Sequence, residues 1–549
     1  MNIKNNHHLP YLALLGIALI SLTFKLSVFS AGSPYVTIDD YTLFEGGFLV
    51  WFGEAPPQRM YFESWIVGIS SIGTYVFQLA VHGNLDQLSL NLVADAYRSF
   101  TQDPDDFVRT YRGLMLIVDF STAWLVFLLA RVIFSEHIYA RWLAVIASGM
   151  FLLSYNTIWC YIVARPDTVT AFFSVLGMLL YYKSNVGENK QYFYLSAIAF
   201  GCATGFKLHA ALFVVFFIVD MMRQLGFKEA LRRSLPFGII SVLIFAVVAG
   251  SPLFDPLLYA KLRALNIKDD ESPWLHWGDQ IITAIRGTGW LVAPIILITA
   301  FMVFTRRIKN IHGPIFSIVF VSLLFLIFFL SIRQLRAYWM LPALPLFYIT
   351  TAYFLSLLRG KFILSISIFG VFTLLMWQCL SQSKEFDNAQ YGELKEWVQK
   401  NVQPNEVIYI VGYNTLFLPC NKTCLENRKY SIEQRLNTAI TAGETFTLRH
   451  VRQWEERTQL KLIDMLDVNS TTGFNFYSMN GTPLNTLQGR IELNDIQYLL
   501  VMQGYTTPDA IKFFEEIKQE FKFVTTANAP GGKAGTGGLP YDIYVRNTR

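Results

Sequence analysis

The feature that most constrains the fold is a series of long apolar segments between residues 11 and 380. A helix needs about 20 apolar residues to cross a bilayer, and about eleven segments of the chain approach that length. They lie at roughly 11–30, 113–133, 140–157, 168–183, 192–206, 208–222, 236–252, 288–304, 314–332, 339–357 and 361–380. A further apolar run at 64–81 contains several glycines and serines, which favours a helix in the membrane interface. The pattern predicts a polytopic α-helical membrane protein.

The charged residues agree with this topology. The chain is 53% hydrophobic and 15% charged, whereas soluble domains average about 25% charged residues. If the N-terminus lies inside, every inside connection is short and carries Lys or Arg, as the positive-inside rule requires. These connections lie at 131–141, 183–190, 223–233, 306–309 and 359–361. Counting 64–81 as a span would invert all later connections. The net charge of +5 therefore reflects topology and does not indicate a nucleic-acid partner.

The tail of the chain has a different pattern. Short apolar runs at 406–412, 496–502 and 541–545 are typical of buried strands. The spacing of apolar residues predicts helices at 391–402 and around 510–521. Strands alternating with helices indicate a small α/β domain.

The sequence therefore predicts two domains. Residues 1–383 form a transmembrane domain, whose first outer loop, 31–111, contains interfacial helices. Residues 384–549 form a soluble α/β domain on the outer, periplasmic or lumenal face, because the topology places everything after residue 380 outside.

An acidic pair, Asp39 and Asp40, follows directly on the first apolar segment. Adjacent carboxylates at a membrane surface repel one another and are costly to dehydrate, so they need water, hydrogen bonds, a cation or a proton donor. A wet loop that caps a helix is the simpler interpretation. Other polar residues, however, gather on the same predicted side of the membrane. They are Arg59, Tyr61, Glu63, Arg165, Asp167, Lys207, Arg333, Arg336 and Tyr338.

The chemistry of this set is a carboxylate centre facing several cations. Carboxylates can deprotonate a hydroxyl or hold a divalent ion. Lysine and arginine at this depth suit a phosphate or diphosphate head group. Simpler roles stay open: Glu63 and Asp167 also suit helix N-termini, Lys207 can reach ordinary lipids, and arginine and tyrosine are common at membrane interfaces. His209 fits a packed or hydrogen-bonded role better than that of a ligand.

These residues resemble the motifs of the GT-C superfamily of membrane glycosyltransferases, which includes protein O-mannosyltransferases and lipid A aminoarabinose transferases. The resemblance covers roughly residues 10–380. The acidic pair matches the defining motif, with Glu45 spaced as in the aminoarabinose transferases. Three further matches are Tyr61-Phe62-Glu63, Arg165-Pro166-Asp167 and the run from Arg336 to Pro345. The aminoarabinose transferases follow Tyr-Phe-Glu with Lys-Pro, whereas this chain has Ser64-Trp65 and lacks that phosphate cation.

The resemblance implies an inverting transferase that moves a sugar from a polyprenyl-phosphate donor to a hydroxyl of a glycan, lipid or protein acceptor. Asp39, supported by Asp40, would be the catalytic base or would orient the acceptor, and Lys207 would contact the lipid phosphate. The residues implied in substrate binding are Arg59, Tyr61, Glu63, Arg165, Asp167, Lys207, Arg333, Arg336 and Tyr338. Asp40, Glu63 and Asp167 could hold a divalent ion such as Mg, Mn or Zn. They could equally hold a substrate hydroxyl, so the need for a metal stays open.

Two further interpretations concern the tail and the compartment. Cys420 and Cys424 lie close together in a polar region, which favours a local disulfide over a zinc site. We expect an integral protein of the bacterial inner membrane, in contact with membrane lipids and with its site in the periplasm. The endoplasmic reticulum is the alternative.

The alternative function is a transporter or flippase of lipid-linked glycans. Transporters tend to place ionisable residues near the bilayer midplane and to be built from repeated halves. The charges singled out here lie at predicted outer helix ends, which favours the transferase.

Overall fold

A computed structural model describes most of the helical segments and much of the tail. The residues described are 8–29, 47–48, 72–76, 96–98, 100, 105–162, 166–185, 187–249, 277–305, 313–331, 337–358, 361–385, 393–412, 419–441, 457, 460–461, 463–464, 466, 473–479, 483–487, 489–503, 508–528 and 540–547. The chain divides into two compact units. The first comprises Met1–Phe29, Arg112–Pro256 and Ala264–Lys384, and the second Ser30–Tyr111, Leu257–Arg263 and Glu385–Arg549.

The described part of the first unit is helical. Its helices, with α2 beginning in the second unit, are α1 Leu9–Ser27, α2 Asp105–Ile133, α3 Ala140–Leu152, α4 Tyr155–Ile162, α5 Asp167–Lys183, α6 Lys190–Phe206, α7 Phe213–Leu225, α8 Phe227–Ala249, α9 Trp277–Thr288, α10 Val292–Phe304, α11 Gly313–Leu330, α12 Leu344–Leu357 and α13 Lys361–Glu385. Two 3-10 helices, Leu208–Leu212 and Ala337–Ala343, precede α7 and α12. Each apolar segment predicted as a span lies largely on these helices.

Several of these helices are long and apolar enough to cross a membrane. Among the described residues there are six, or up to seven if the bent pair α9–α10 forms one span. That pair bends by 93° at Gly289, whose φ of +103° favours glycine. The chain is an integral membrane protein, as predicted from its hydropathy, while the count of about eleven spans stays a prediction.

Glycines allow α6 and α8 to pack closely. A Cβ atom at Gly201 would lie 2.6 Å from the Ile244 side chain, and one at Gly205 would lie 2.6 Å from Val248. Small residues one turn apart let helix backbones approach in a membrane, where lipid removes the usual hydrophobic drive between helices. The C-terminal end of α6, directly before Lys207, is thereby held against α8.

The second unit contains a five-stranded sheet of order β2-β1-β3-β5-β4. The strands are β1 Val407–Val411, β2 Asn475–Ser478, β3 Ile496–Met502, β4 Phe521–Asn528 and β5 Pro540–Arg546. β1 is parallel to β2 and β3, and β5 is antiparallel to β3 and β4. The α-helices described in the C-terminal part of this unit are α14 Glu393–Asn401, α15 Lys422–Thr441 and α16 Pro508–Ile517.

Both faces of the central strand β1 are buried. Ile408 and Ile410 of β1 pack in one core with Leu394 and Val398 of α14. The alternate residues of β1 pack in a second core that includes Ala510 of α16. Helices on both faces are typical of sheets with parallel strands, which bury continuous apolar runs.

The predicted α/β character of the tail is confirmed. The strands at 406–412, 496–502 and 541–545 are present, as are helices near 391–402 and 510–521. Helix α15 and strands β2 and β4 were not predicted. In the run 64–81 the structure describes only 72–76, which is helical, so the interfacial placement stays a prediction.

Candidate functional site

Asp167 begins helix α5. The residue at the N-cap position is Pro166, which makes no side-chain capping bond, so Asp167 lies in the first turn and is not the cap. Its side chain is fully buried. The N-terminus of a helix carries partial positive charge, which stabilises a carboxylate there.

Lys207 lies at the end of α6, where the chain turns into the 3-10 helix Leu208–Leu212. Its backbone is extended, with φ −152° and ψ 118°. The Lys207 Nζ lies 3.8 Å from the Asp167 Oδ2, and 19% of the Lys207 side chain is exposed. At this distance the two groups form an ion pair rather than a hydrogen bond. Two residues that the sequence assigned to one site therefore meet at the ends of two helices.

His209 connects this turn to a third segment. Its side chain is hydrogen-bonded to the backbone of Trp339, and its ring meets Phe329 edge-on at 5.9 Å. The Nε2 atom is buried and has no hydrogen-bond partner among the described residues. The 3-10 helix Ala337–Ala343, which contains Trp339, also packs against α5. His209 is thus a packed and hydrogen-bonded residue, as the sequence suggested.

The other predicted site residues lie outside what the structure describes. They are Asp39, Asp40, Arg59, Tyr61, Glu63, Arg165, Arg333, Arg336 and the side chain of Tyr338. Their roles stay predictions. The Trp339 backbone does show that the segment directly after Arg336 begins beside the Lys207 turn.

The described residues contain no cluster of three or more His, Cys, Asp or Glu side chains able to hold a metal. Of the three predicted ligands, Asp40 and Glu63 are not described, and Asp167 faces the ammonium of Lys207. A divalent ion at Asp167 would compete with that ammonium for the same carboxylate. The metal site stays a prediction.

The sequence reasoning missed a group of buried charges elsewhere in the first unit, which we call the helical unit. Lys25 of α1 and Asp119 of α2 are fully buried and form an ion pair with Nζ and Oδ2 2.6 Å apart. Arg112 of α2, also buried, donates from Nη1 to the Phe29 carbonyl at 2.9 Å. The available signal was a lone charge inside an apolar segment, which is costly in a membrane and therefore informative.

Asp220 of α7 is a second buried carboxylate that the sequence reasoning missed. Its Oδ1 accepts a hydrogen bond from Ser317 at 2.8 Å. Its Oδ2 accepts from Tyr181 at 3.0 Å and from Gln224 at 2.6 Å. These donors come from α5, α7 and α11, so the carboxylate joins three helices.

Cys420 and Cys424 form a disulfide, with Cα atoms 5.4 Å apart. Cys424 lies in the first turn of α15, where its backbone N–H donates to the Asn421 side chain at 2.9 Å. The disulfide therefore joins the start of α15 to the short bridge between Cys420 and Phe474.

No protein-family model matches the chain, and no curated protein matches it significantly in sequence. Among solved structures it is similar to ArnT from Cupriavidus metallidurans bound to undecaprenyl phosphate, with 10% identity, 98% of each chain covered and a TM-score of 0.46. It is also similar to the Archaeoglobus fulgidus oligosaccharyltransferase tethered with an acceptor peptide, with 11% identity, 97% of this chain and 74% of that chain covered and a TM-score of 0.45. ArnT from Cupriavidus metallidurans in the apo state gives 10% identity, 96% and 98% coverage and a TM-score of 0.38. These scores are low, so the likeness by itself carries no functional conclusion.

Proposed function

We propose that this chain is an integral-membrane glycosyltransferase of the GT-C type. It moves a sugar, with inversion, from a polyprenyl-phosphate donor to an acceptor hydroxyl on the periplasmic or lumenal side. The observation that carries the proposal is the ion pair between Asp167 and Lys207. The motif resemblance assigns a carboxylate and a phosphate-binding cation to these two positions. A transferase needs such groups within reach of one substrate.

The reaction follows from the chemistry of these groups. The acceptor hydroxyl attacks the anomeric carbon from the side opposite the phosphate, and its proton passes to Asp39. The bond from the anomeric carbon to the phosphate oxygen breaks, and the lipid phosphate leaves with the bonding electrons. Lys207 stabilises the charge that develops on the leaving phosphate.

The geometry of the ion pair supports different roles for its two members. Asp167 is fully buried, whereas Lys207 keeps 19% of its side chain exposed. Asp167 therefore contacts the ammonium from the buried side, while part of the Lys207 side chain stays exposed. We infer that Lys207 contacts the donor phosphate and that Asp167 orients Lys207.

The experiment that tests the proposal is turnover of polyprenyl-phosphate sugars by purified full-length protein in detergent. The variants are Asp39→Asn, Lys207→Ala and Asp167→Asn. Wild type should release polyprenyl phosphate, and Asp39→Asn should bind the donor without turnover. Lys207→Ala should weaken donor binding, and Asp167→Asn should weaken it less.

The matched control is Lys190→Ala, at the other end of α6. It removes a lysine from the same helix and should leave binding and turnover unchanged. If wild type binds no such lipid and all variants behave alike, the transferase proposal is wrong. The hypothesis to test is then transport of intact lipid-linked sugar across the membrane of vesicles.

Three finer parts of the proposal have separate tests. The first is the topology, with about eleven spans and a C-terminal domain on the outer face. It predicts that a membrane-impermeant reagent labels a single cysteine placed after residue 385 only when the reagent is added on the periplasmic or lumenal side. A role for Mg, Mn or Zn predicts loss of turnover with chelator and recovery with the ion. Assays with glycan, lipid and protein hydroxyls would identify the acceptor.

A further inference from the structure

Helices α6 and α8 run parallel, and their first turns lie side by side. The Phe193 and Phe237 rings lie 5.2 Å apart, and the glycines further along α6 meet residues further along α8. A Cβ atom at Gly187 would lie 3.1 Å from the Arg233 Nη1, so Arg233 lies against the turn that leads into α6. The first turns of both helices therefore lie at one end of the pair.

This shared end carries more positive than negative charge. The charged residues of 187–190 and 227–235 are Glu188, Lys190, Lys228, Glu229, Arg232 and Arg233. Glu229 accepts a hydrogen bond from Arg232 and one from Arg233, both at 2.8 Å. A guanidinium group has five N–H donors, and the Arg232 side chain is 77% exposed. Arg232 can therefore bind a second anion while it keeps its bond to Glu229.

An exposed apolar strip of α8 begins at this charged end. Helix α8 is a candidate membrane span with only 17% of its apolar stretch buried, the lowest share among the six candidate spans of the described residues. Leu235, Ile239 and Val242 are 68%, 54% and 63% exposed. With Lys228 and Arg232 they recur at intervals of three or four residues, so the five side chains share one face of the helix. We call these five residues the α8 strip.

The α8 strip has the dimensions of one phospholipid in one leaflet. A helix rises about 1.5 Å per residue, so Val242 lies about 15 Å from Arg232 along the helix axis. This is half of a hydrocarbon core about 30 Å thick. Clusters of Lys and Arg beside a transmembrane helix attract anionic lipids, and arginine matches the geometry of a phosphate. A zwitterionic lipid fits less well, because its own ammonium is repelled by the cations.

We propose that the α8 strip is a binding site for an anionic phospholipid. The lipid phosphate binds Lys228 and Arg232, and one acyl chain lies along the three apolar side chains. The predicted topology places this end inside, where the leaflet that contacts the cytoplasm carries anionic lipids. The proposal goes beyond sugar transfer and does not depend on it.

The test measures lipid binding to purified full-length protein in detergent by native mass spectrometry. The probes are phosphatidylglycerol, phosphatidylcholine with the same acyl chains, and glycerol phosphate as a soluble anion. Wild type should bind phosphatidylglycerol about tenfold more tightly than phosphatidylcholine, and glycerol phosphate more weakly than either lipid. Amide hydrogen exchange in peptides covering 227–235 should become slower with phosphatidylglycerol only.

The variant that tests the cations is Lys228→Gln combined with Arg232→Gln. Both side chains are exposed, so the fold should be kept. Binding of phosphatidylglycerol should weaken about tenfold to thirtyfold, because each cation near an anionic head group contributes about fivefold. The matched control is Lys395→Gln combined with Lys400→Gln in α14, which removes the same charge elsewhere. It should bind phosphatidylglycerol as wild type does.

The variant that tests the apolar part is Leu235→Ala combined with Ile239→Ala. It should weaken binding of long-chain phosphatidylglycerol about threefold, because contacts with the acyl chain are lost. Phosphatidylglycerol with short acyl chains, which reach less of the strip, should bind to this variant and to wild type equally.

Each other outcome overturns the proposal. If wild type binds both phospholipids equally, or the variant without the two cations keeps its affinity, no anionic lipid site is present. If the α14 control loses as much affinity, the attraction comes from the overall charge of the protein. If glycerol phosphate binds as tightly as phosphatidylglycerol and the apolar variant has no effect, the cations bind a soluble anion and the lipid site is wrong.

Discussion

The helical unit and the sheet of the C-terminal region bury polar groups in different ways. In the helical unit the buried groups include full charges, with Lys25 paired to Asp119. Among the described residues in and around the sheet, the buried polar side chains are neutral. Asn427 donates to the Tyr477 hydroxyl at 2.8 Å, and Tyr477 in turn donates to Asn475. Tyr477 is a fully buried residue of the strand β2, and Asn427 belongs to the helix α15.

The difference agrees with the solvents that the sequence predicts, lipid around the helices and water around the C-terminal region. A helix in lipid gains little by burying apolar side chains, because the lipid is equally apolar, so small residues, polar contacts and close packing determine which helices meet. In water, burial of apolar area drives packing, and a neutral hydrogen-bonded network is sufficient to satisfy the polar groups inside. Substitutions should therefore have their largest effects at charges in one unit and at apolar side chains in the other.

The largest expected effect is that of Asp119→Leu alone. It leaves the buried Lys25 ammonium without its carboxylate, and breaking a buried pair in this way costs about 3–5 kcal/mol. The thermal midpoint in detergent should fall sharply. Adding Lys25→Met should recover most of the loss, since the uncompensated charge is then gone. If Asp119→Leu alone were as stable as wild type, the proposed difference between the two units would be wrong.

The next effect compares two apolar truncations. Ile410 is fully buried in the sheet, and Ile410→Ala should lower the free energy of unfolding by about 2–5 kcal/mol, because it leaves a cavity. Phe369 of α13 is 73% exposed, and Phe369→Ala should change stability by about 0.5 kcal/mol or less. The two losses of stability can be compared by thermal unfolding of both variants and of wild type. Equal losses would show that the two units do not differ as proposed.

The sequence predicted the elements that have strong local patterns. The apolar run from Ile496 to Met502 coincides with β3, and the long apolar segments lie on helices. Strand β2 was not predicted because it is only four residues long, Asn475–Ser478. It is also stabilised by parallel pairing with β1, a strand that is far away in the sequence. Local periodicity carries no information about such a partner.

The residues of the candidate site also divide into those that the sequence could reveal and those that depend on distant partners. Asp167 and Lys207 were found from residue type, position and motif resemblance, and the fold brings them to 3.8 Å. Lys25 and Asp119 could have been noticed as lone charges in apolar segments. Their pairing could not, because they are 94 residues apart in the chain, and a partner at that separation depends on how the helices pack.

A smaller effect is expected from the disulfide. Cys420 and Cys424 are separated by 4 positions, so the closed loop is very short and the chain-entropy relation gives about 2 kcal/mol. Replacing both with alanine should lower the thermal midpoint of the C-terminal region modestly. Cys202→Ala, which removes a free cysteine of the helical unit, should not have this effect. A reductant should lower the midpoint of wild type but not that of the double variant; equal sensitivity would refute the prediction.

The smallest effect concerns Tyr477 and depends on pH. Burial raises the pKa of Tyr477 above its usual value near 10, although the hydrogen bond from Asn427 opposes this rise. The folded protein therefore favours the neutral hydroxyl, and this contribution to stability is complete below pH 10 or so and is lost as the pH rises through the folded pKa. Tyr477→Phe should cost about 1 kcal/mol at neutral pH, for a lost hydrogen bond. The difference from wild type should shrink in strongly alkaline buffer, where wild type alone loses this contribution.

Tyr430→Phe, whose ring packs under the Arg490 guanidinium, serves as the control. A difference between wild type and Tyr477→Phe that is constant with pH would show that the hydroxyl is not protected by burial.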